Sequence, residues 1–218
     1  MVQPGSKAKY DVKTAHRELY GPGRGFTLVE VPEQHFLAID GHGNPNTSPA
    51  YTAAVEALYS VAYTLKFSFK RNTGQDSVVG PLEGLWHAED PEVFVSGNKD
   101  SWDWTMLISQ PEWVTPETAA SAAAEVQAKK GLDTAGKLRW LSLTEGLSVQ
   151  VLHIGSYDDE APLLARLHHE FMPDNQLDFN GDHHEIYLSD PRRTTPEKLK
   201  TVLRQPVRRI SPEELPKK

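Results

Sequence analysis

The chain has 218 residues, of which 38% are hydrophobic, with no cysteine and a formal net charge of −7. This length supplies a sizeable core, the lack of cysteine excludes disulfides and thiolate chemistry, and the negative charge argues against general binding to nucleic acid or anionic membranes. No window is apolar enough for a membrane helix, and the first residues lack the apolar centre of a secretory signal. We therefore expect a cytoplasmic protein with a small-molecule ligand, and a protein partner stays an open alternative.

The first half of the chain predicts a short helix, a strand pair, a long helix and two further strands. They cover residues 11–20, 27–31 with 35–40, 49–70, and 82–87 with 102–109. A Gly-Pro-Gly-Arg-Gly run ends the short helix, because glycine and proline interrupt regular structure. Ser48 is suited to the N-cap of the long helix and Pro49 to its first position.

The second half repeats this order. A helix, a strand pair joined by a Glu-Gly turn, and a second helix cover residues 116–130, 138–144 with 147–154, and 159–171, and two strands begin near His183 and Leu199. Local strings echo one another, such as PLEGLWHA with HHEIYLSD and WTMLISQP with KTVLRQPV. We predict two related half-domains about a pseudo-two-fold axis. Each half has helices for one sheet face, so the uncovered faces are expected to meet around a cleft.

The stretch HHEIYLSDPRR, residues 183–193, is the most informative one. Strand alternation places Ile186 on the core side and His183, Glu185 and Tyr187 on the other side. If this second face were a solvated sheet edge, Glu185 would be an ordinary surface residue. If aromatic side chains cover it, the glutamate marks a functional site.

Two histidine-containing triplets invite a zinc interpretation, His168-His169-Glu170 and His183-His184-Glu185. Neighbouring residues diverge on a helix, and on a strand His184 points away from the other two members of its triplet, so neither triplet is a preformed three-ligand site. The chain contains no HExxH motif. We expect no metal and no cofactor.

Several strings carry a family resemblance: FLAIDGHGNPN, EALYSVAYTLKF, PLEGLW, QVLHIGSYDDE and HHEIYLSDPRRTTPEKLKTVLRQPV. Together they resemble the GyrI-like small-molecule-binding family over nearly the whole chain from about Tyr10. Within it they look like the stand-alone subclass of cyclopropanoid cyclopropyl hydrolases, which protect cells from DNA-alkylating antibiotics of the yatakemycin kind.

The resemblance implies an α+β fold of duplicated strand-helix-strand-strand (SHS2-type) modules with pseudo-two-fold symmetry around a central ligand cleft. The expected layout is one domain over residues 1–218. Its parts are an N-terminal extension with the short helix at 1–25, a first module at 26–114, a connecting helix with the second module at 115–210, and a tail at 211–218.

The resemblance also implies site residues. The glutamate of the family's cleft falls on Glu185, and its aromatic lining falls on Trp86, Tyr157, Tyr187, His153 and Trp104. In the first module, aligning Glu83 with Glu185 would put Leu85 in the cleft, whereas a shift by one residue puts Trp86 there. We predict Trp86 in the cleft and Leu85 in the core.

The implied reaction is hydrolysis of a cyclopropane ring on a planar aromatic ligand. A glutamate shielded from water suits a general base that takes a proton from the attacking water, so we assign Glu185 and Tyr157 as catalytic. Tyr157 or Tyr187 would donate a hydrogen bond to the developing phenolate, and Trp86 and Trp104 would stack on the ligand.

Two other functions stay open. In one, the protein binds and sequesters planar or cationic compounds without turnover, with Glu185 as the counter-charge and aromatic rings giving cation–π contacts. In the other, it regulates a protein partner, as the gyrase-inhibitor name suggests.

Overall fold

The computed structural model describes residues 9–87 and 102–211. In that part of the chain, antiparallel strands form one curled sheet with the order β1-β6-β9-β8-β3-β4-β2-β5, and β7 pairs with β9 at one side. The strands are β1 Thr27–Val31, β2 Gln34–His42, β3 Leu82–His87, β4 Asp103–Ser109, β5 Arg139–Leu143, β6 Gly146–Ile154, β7 Leu177–Phe179, β8 His183–Tyr187 and β9 Lys200–Arg209.

The helices agree closely with those predicted. They are α1 Val12–Ala15, α2 Arg17–Tyr20, α3 Pro49–Thr73, α4 Pro116–Lys130, α5 Ala161–Arg166 and α6 Met172–Asp174, with a π-helical turn, Leu167–Phe171, between the last two. The Ser48 hydroxyl accepts a hydrogen bond from the backbone N–H of Tyr51, and that of Thr115 caps α4 in the same way. The predicted connection between β3 and β4, residues 88–101, lies outside the described residues. None of the described helices is long and apolar enough to cross a membrane.

The two predicted strand pairs are wrong, although their strands are present. β1 pairs with β6 and β2 with β5, so each short connection joins strands near opposite edges of the sheet. The strand order is also symmetric. Exchanging β1 to β4 with β5, β6, β8 and β9, respectively, gives the same order read from the other edge, and β3 and β8 pair at the centre. A duplicated origin of the two halves and the domain bounds stay predictions.

The same connections curl the sheet. Only Pro32 and Glu33 lie between β1 and β2, and only Thr144 and Glu145 lie between β5 and β6. Such a link spans roughly 10 Å. Because β1 and β2 lie near opposite edges, the edges must approach each other, and the sheet closes into a half-barrel with an inner and an outer face. The α+β prediction is confirmed.

The inner face is filled by the protein's own side chains. Leu85 packs there with residues of β2 and β4, and Ile186 packs with Leu19 and Tyr20 of α2. The helices α3, α4 and α5 cover the outer face, the first two over one half and the third over the other. The expectation that uncovered sheet faces meet around a cleft is wrong, because side chains of the sheet and of α1 and α2 fill the inner face. Glu185 lies on the outer face, which α3, α4 and α5 cover.

A hydrogen-bonded cluster of polar side chains is buried on the inner face. We call it the inner network, and its members are Tyr20, Glu83, Glu145, Gln150, His184 and Arg204. His184 donates from Nδ1 to Glu145 at 3.0 Å and from Nε2 to Glu83 at 3.1 Å. The two carboxylates outweigh the cost of burial and raise the pKa of His184 to about 9.

Arg204 completes the inner network. It donates from Nη1 to Glu145 at 2.8 Å and from Nη2 to the Leu19 carbonyl at 2.8 Å. Burial disfavours the charge on Glu145, but His184 and Arg204 together lower its pKa to about 2. The Arg204 side chain is wholly buried.

Candidate functional site

Glu185 lies at the middle of the outer face, between the two sets of helices. Alternation along β8 places His183, Glu185 and Tyr187 on this face and His184 on the inner one, as predicted. The glutamate side chain is 12% exposed, so it is shielded but reachable. Its cross-strand neighbour on β3 is Gly84, which has no side chain to cover the carboxylate from that direction.

Three tyrosines stand around Glu185, and we call them the tyrosine wall: Tyr51, Tyr157 and Tyr187. Tyr51 comes from the first turn of α3, Tyr157 follows β6 in a short 3-10 turn, and Tyr187 ends β8. Each is half-buried, and the rings of Tyr157 and Tyr187 meet edge to face at 5.5 Å. Aromatic rings and phenol hydroxyls thus border the carboxylate on this side.

The environment keeps these phenols protonated. Burial and then the charges of Glu160 and Glu185 raise the pKa of Tyr157 to about 12. Burial first and the Glu185 charge second raise the pKa of Tyr51 and that of Tyr187 well above the usual value. A phenol that keeps its proton remains a hydrogen-bond donor at neutral pH.

Tryptophans border the opposite side of the glutamate. Trp86 is the cross-strand neighbour of His183, and its ring meets that of Trp102 edge to face at 5.1 Å. The indole leans over Gly84, because a methyl group at that glycine would lie 3.3 Å from Trp86 Nε1. Trp86 is 3% exposed, and its Nε1 has no hydrogen-bond partner among the described residues.

Two histidines continue this side. His183 is 2% exposed, and its Nε2 lies 3.6 Å from Glu185 Oε1. His168 comes from the π-helical turn and packs edge to face on Phe179 at 5.0 Å. Burial, with His183 as the next contribution, lowers the pKa of His168 to about 4, so the ring is neutral at physiological pH. Neither of its ring nitrogens has a hydrogen-bond partner in the part of the chain that the structure describes.

Four of the six predicted site residues come together here: Glu185, Tyr157, Tyr187 and Trp86. Leu85 lies on the inner face, as the chosen register predicts. His153 donates from Nε2 to the carbonyl of Ser156 at 3.0 Å, so it fixes the turn that carries Tyr157.

Trp104 lies behind Tyr51, in the core under α3. It is 1% exposed, its Nε1 donates to the Gly43 carbonyl at 3.1 Å, and its ring meets Tyr51 edge to face at 5.3 Å. This burial argues against direct stacking on a ligand and gives Trp104 the role of supporting Tyr51.

Four further residues of this site were not predicted from the sequence: Tyr51, Glu160, His168 and His183. Glu160 is 4% exposed and acts on Tyr157 and Tyr187 through its charge. It stands in the QVLHIGSYDDE string, and His183 shares a strand face with Glu185, so these two had a local signal. Tyr51 and His168 lie in helical segments, and no local pattern indicates where those segments pack on the sheet.

The chain matches known proteins over most of its length. Residues 26–208 match the model of the GyrI-like small molecule binding domain. A conserved protein of Listeria innocua has 38% identity and a TM-score of 0.82, with 92% of this chain and 100% of the other covered. A hydrolase from Listeria innocua has 36% identity and a TM-score of 0.79 at the same coverage.

A more distant structure shares the fold. The C-terminal domain of EcmrR has 14% identity and a TM-score of 0.55, with 85% of this chain and 98% of that domain covered. No curated protein matches the chain significantly in sequence.

Proposed function

The chain belongs to the GyrI-like small molecule binding domain family, and from this premise we propose that it is a hydrolase that opens the cyclopropane ring of planar aromatic, DNA-alkylating compounds. The observation that carries the proposal is the placement of Glu185, which is shielded yet 12% exposed, between the tyrosine wall and Trp86. The similar Listeria innocua protein that is named a hydrolase supports it. We place the detoxifying activity in the cytoplasm and assign it no cofactor.

Such a reaction makes modest demands on the protein. Water attacks the cyclopropyl CH₂ carbon, the bond from that carbon to the spiro centre breaks, and its electron pair enters the ring, which becomes an aromatic phenolate. Glu185 takes one proton from the attacking water, as a general base does. The phenolate then gains a proton, so the product is the substrate plus one water.

The tyrosine wall suits the negative charge that develops on the ligand oxygen. Because the pKa of Tyr157 is raised to about 12, its hydroxyl keeps its proton at neutral pH and is able to donate a hydrogen bond. A donor aimed at a developing oxyanion contributes roughly 3 kcal/mol to transition-state stabilisation. We assign this role to Tyr157 with Tyr187 beside it, and we assign the stacking of the ligand to the half-exposed tyrosine rings with Trp86 at the far end.

The test compares turnover by the wild-type chain and by Glu185→Gln, with a spiro-cyclopropyl dienone as substrate and mass spectrometry of the ring-opened hydrate. We expect the variant to lose about 100-fold or more in turnover, because the amide cannot accept the proton. Glu170→Gln is the matched control, since that glutamate is exposed on the π-helical turn, and it should keep full activity. Equal rates in wild type and Glu185→Gln would refute the general-base assignment.

The same carboxylate among aromatic rings favours a second candidate, a binder that sequesters planar cations without turnover. Cation–π contacts with the tyrosine wall and the charge of Glu185 would hold such a compound. Tight binding of a planar quaternary ammonium dye, lost in Glu185→Gln, together with no multiple turnover of the dienone by the wild type, would establish this candidate instead. Recovery of a stoichiometric protein partner would favour the regulatory function.

A further inference from the structure

The buried side of the site offers polar atoms that the protein itself does not satisfy. Trp86 Nε1 is a donor without a partner among the described residues, and both ring nitrogens of His168 lack partners there as well. Trp86 and His168 are 3% and 7% exposed. Buried polar atoms in native proteins nearly always have a partner, and ordered water is the usual one when protein groups are absent.

Trp86 lies on the His183 side of Glu185, and His168 packs on Phe179, whose partner Val207 stands on β9, the neighbour of β8. Trp86 pairs across the strands with His183, and its indole leans over Gly84, the cross-strand neighbour of Glu185. His183 Nε2 lies 3.6 Å from Glu185 Oε1, an ion-pair distance if the imidazole is protonated, and one water between them and the Trp86 indole would reach both atoms. Within residues 9–87 and 102–211, no three His, Asp or Glu side chains are placed to hold a metal ion, so a metal does not account for these nitrogens.

We propose that this buried side, formed by Trp86, His168 and His183, holds the water that attacks the ligand and presents it to Glu185. The assignment of this water as the nucleophile rests on the proposed function, whereas its presence does not. The ligand would enter from the tyrosine wall, so water and ligand reach the glutamate from opposite sides.

The chemistry of the three side chains fits this role. A water has two hydrogens and two lone pairs. It can donate one hydrogen to Glu185 and the other to a histidine nitrogen, accept from Trp86 Nε1, and keep one lone pair for the carbon it attacks. The neutral ring of His168 has one nitrogen able to accept, directly or through a second water. Trp86, His168 and His183 are thus positioning residues, and Glu185 alone takes the proton.

The first test is a crystal structure of the wild-type chain at a resolution that shows ordered water. We expect a water within hydrogen-bond distance of both Glu185 Oε1 and His183 Nε2, with or without a ligand. A dry gap, or a ligand ring in this place in a complex, would overturn the proposal. This test is independent of turnover.

The second test compares His168→Phe with His169→Phe, because His169 is adjacent and exposed. Each variant opens the spiro-cyclopropyl dienone in water with 10% methanol by volume, and the ratio of methyl ether to hydrate is measured. This ratio does not depend on how much protein is folded. We expect His168→Phe to make hydrate about 10-fold more slowly and to raise the ether share, because attack then comes from the solvent side. His169→Phe should match wild type.

The outcomes separate two kinds of failure. If the wild type opens the ring and His168→Phe behaves like His169→Phe in rate and ratio, the water assignment is wrong and the proposed function stands. If the wild type opens no ring but the crystal shows the water, the proposed function fails and the water site stands. Should His168→Phe not fold, Trp86→Phe takes its place and is judged by the same ratio.

Discussion

Two adjacent histidines show how differently this sheet uses polar groups on its two faces. His184 points into the inner network, where both of its nitrogens donate to carboxylates. His183 points to the outer face, where its Nε2 lies 3.6 Å from Glu185 Oε1. His184 thus belongs to a closed set of buried hydrogen bonds, whereas His183 stands beside the carboxylate of the candidate site.

The charges of the inner network balance. Two carboxylates, Glu83 and Glu145, face the protonated His184 and the guanidinium of Arg204. Breaking such a buried set by removing one member is costly, since the remaining charge cannot reach water. The outer site has no such closed arrangement, so its residues should be exchangeable with little loss of stability.

The largest expected effect therefore comes from Arg204→Met. This change leaves Glu145 with His184 alone, and we expect the free energy of unfolding to fall by about 3–5 kcal/mol. Urea denaturation measures it, with Glu185→Gln as the matched outer-face variant, for which we expect a change below about 1 kcal/mol. Losses of similar size in the two variants would show that the two faces contribute equally to stability, which would contradict the proposed difference between them.

Next in size is a pH effect that belongs to the inner network alone. The pKa of His184 rises from 6.5 to about 9 on folding, so its contribution is complete below pH 6.5 and is lost as the pH rises through 9. The pKa of Glu145 falls from 4.5 to about 2, so its contribution is complete above pH 4.5 and is lost as the pH falls toward 2. The network should stabilise the fold most between pH 4.5 and 6.5.

Urea denaturation at pH 5.5, 7.5 and 9.5 tests the alkaline side. The advantage of wild type over His184→Gln should shrink by roughly 3 kcal/mol between the lowest and the highest pH. A constant advantage across this range would mean that the imidazole is not held protonated by the carboxylates.

The direction of Glu185 on β8 could be predicted from the sequence, whereas the inner network could not. Alternation along β8 is a local signal, so the opposite directions of Glu185 and Ile186 could be predicted from it. The inner network joins Glu83, Glu145, His184 and Arg204 from strands and a connection that are far apart in the chain. Nothing local indicates that they meet.

Pairing of the strands explains the remaining errors. A short link between two strands usually makes a hairpin, so β1 with β2 and β5 with β6 were the natural prediction. The strands instead exchange partners between the halves. This exchange curls the sheet and places Glu145 inside the curl. Packing over the whole sheet, rather than local propensity, decides this outcome.

The smallest expected effect comes from Gly84→Ala and tests whether the close approach of the Trp86 indole to this glycine, beside Glu185, matters. The added methyl group would lie 3.3 Å from the Met106 side chain and from Trp86 Nε1, so the indole must shift by a few tenths of an ångström. We expect a loss of about 1 kcal/mol in stability, because Met106 is flexible, and about a 10-fold loss in turnover of the dienone, because the indole no longer faces the water. Gly25→Ala is the control, since no atom lies within 4 Å of a methyl group there. If Gly84→Ala keeps full turnover while losing stability as Arg204→Met does, then the outer face around Trp86 belongs to the packed core, and the difference between the two faces is one of degree only.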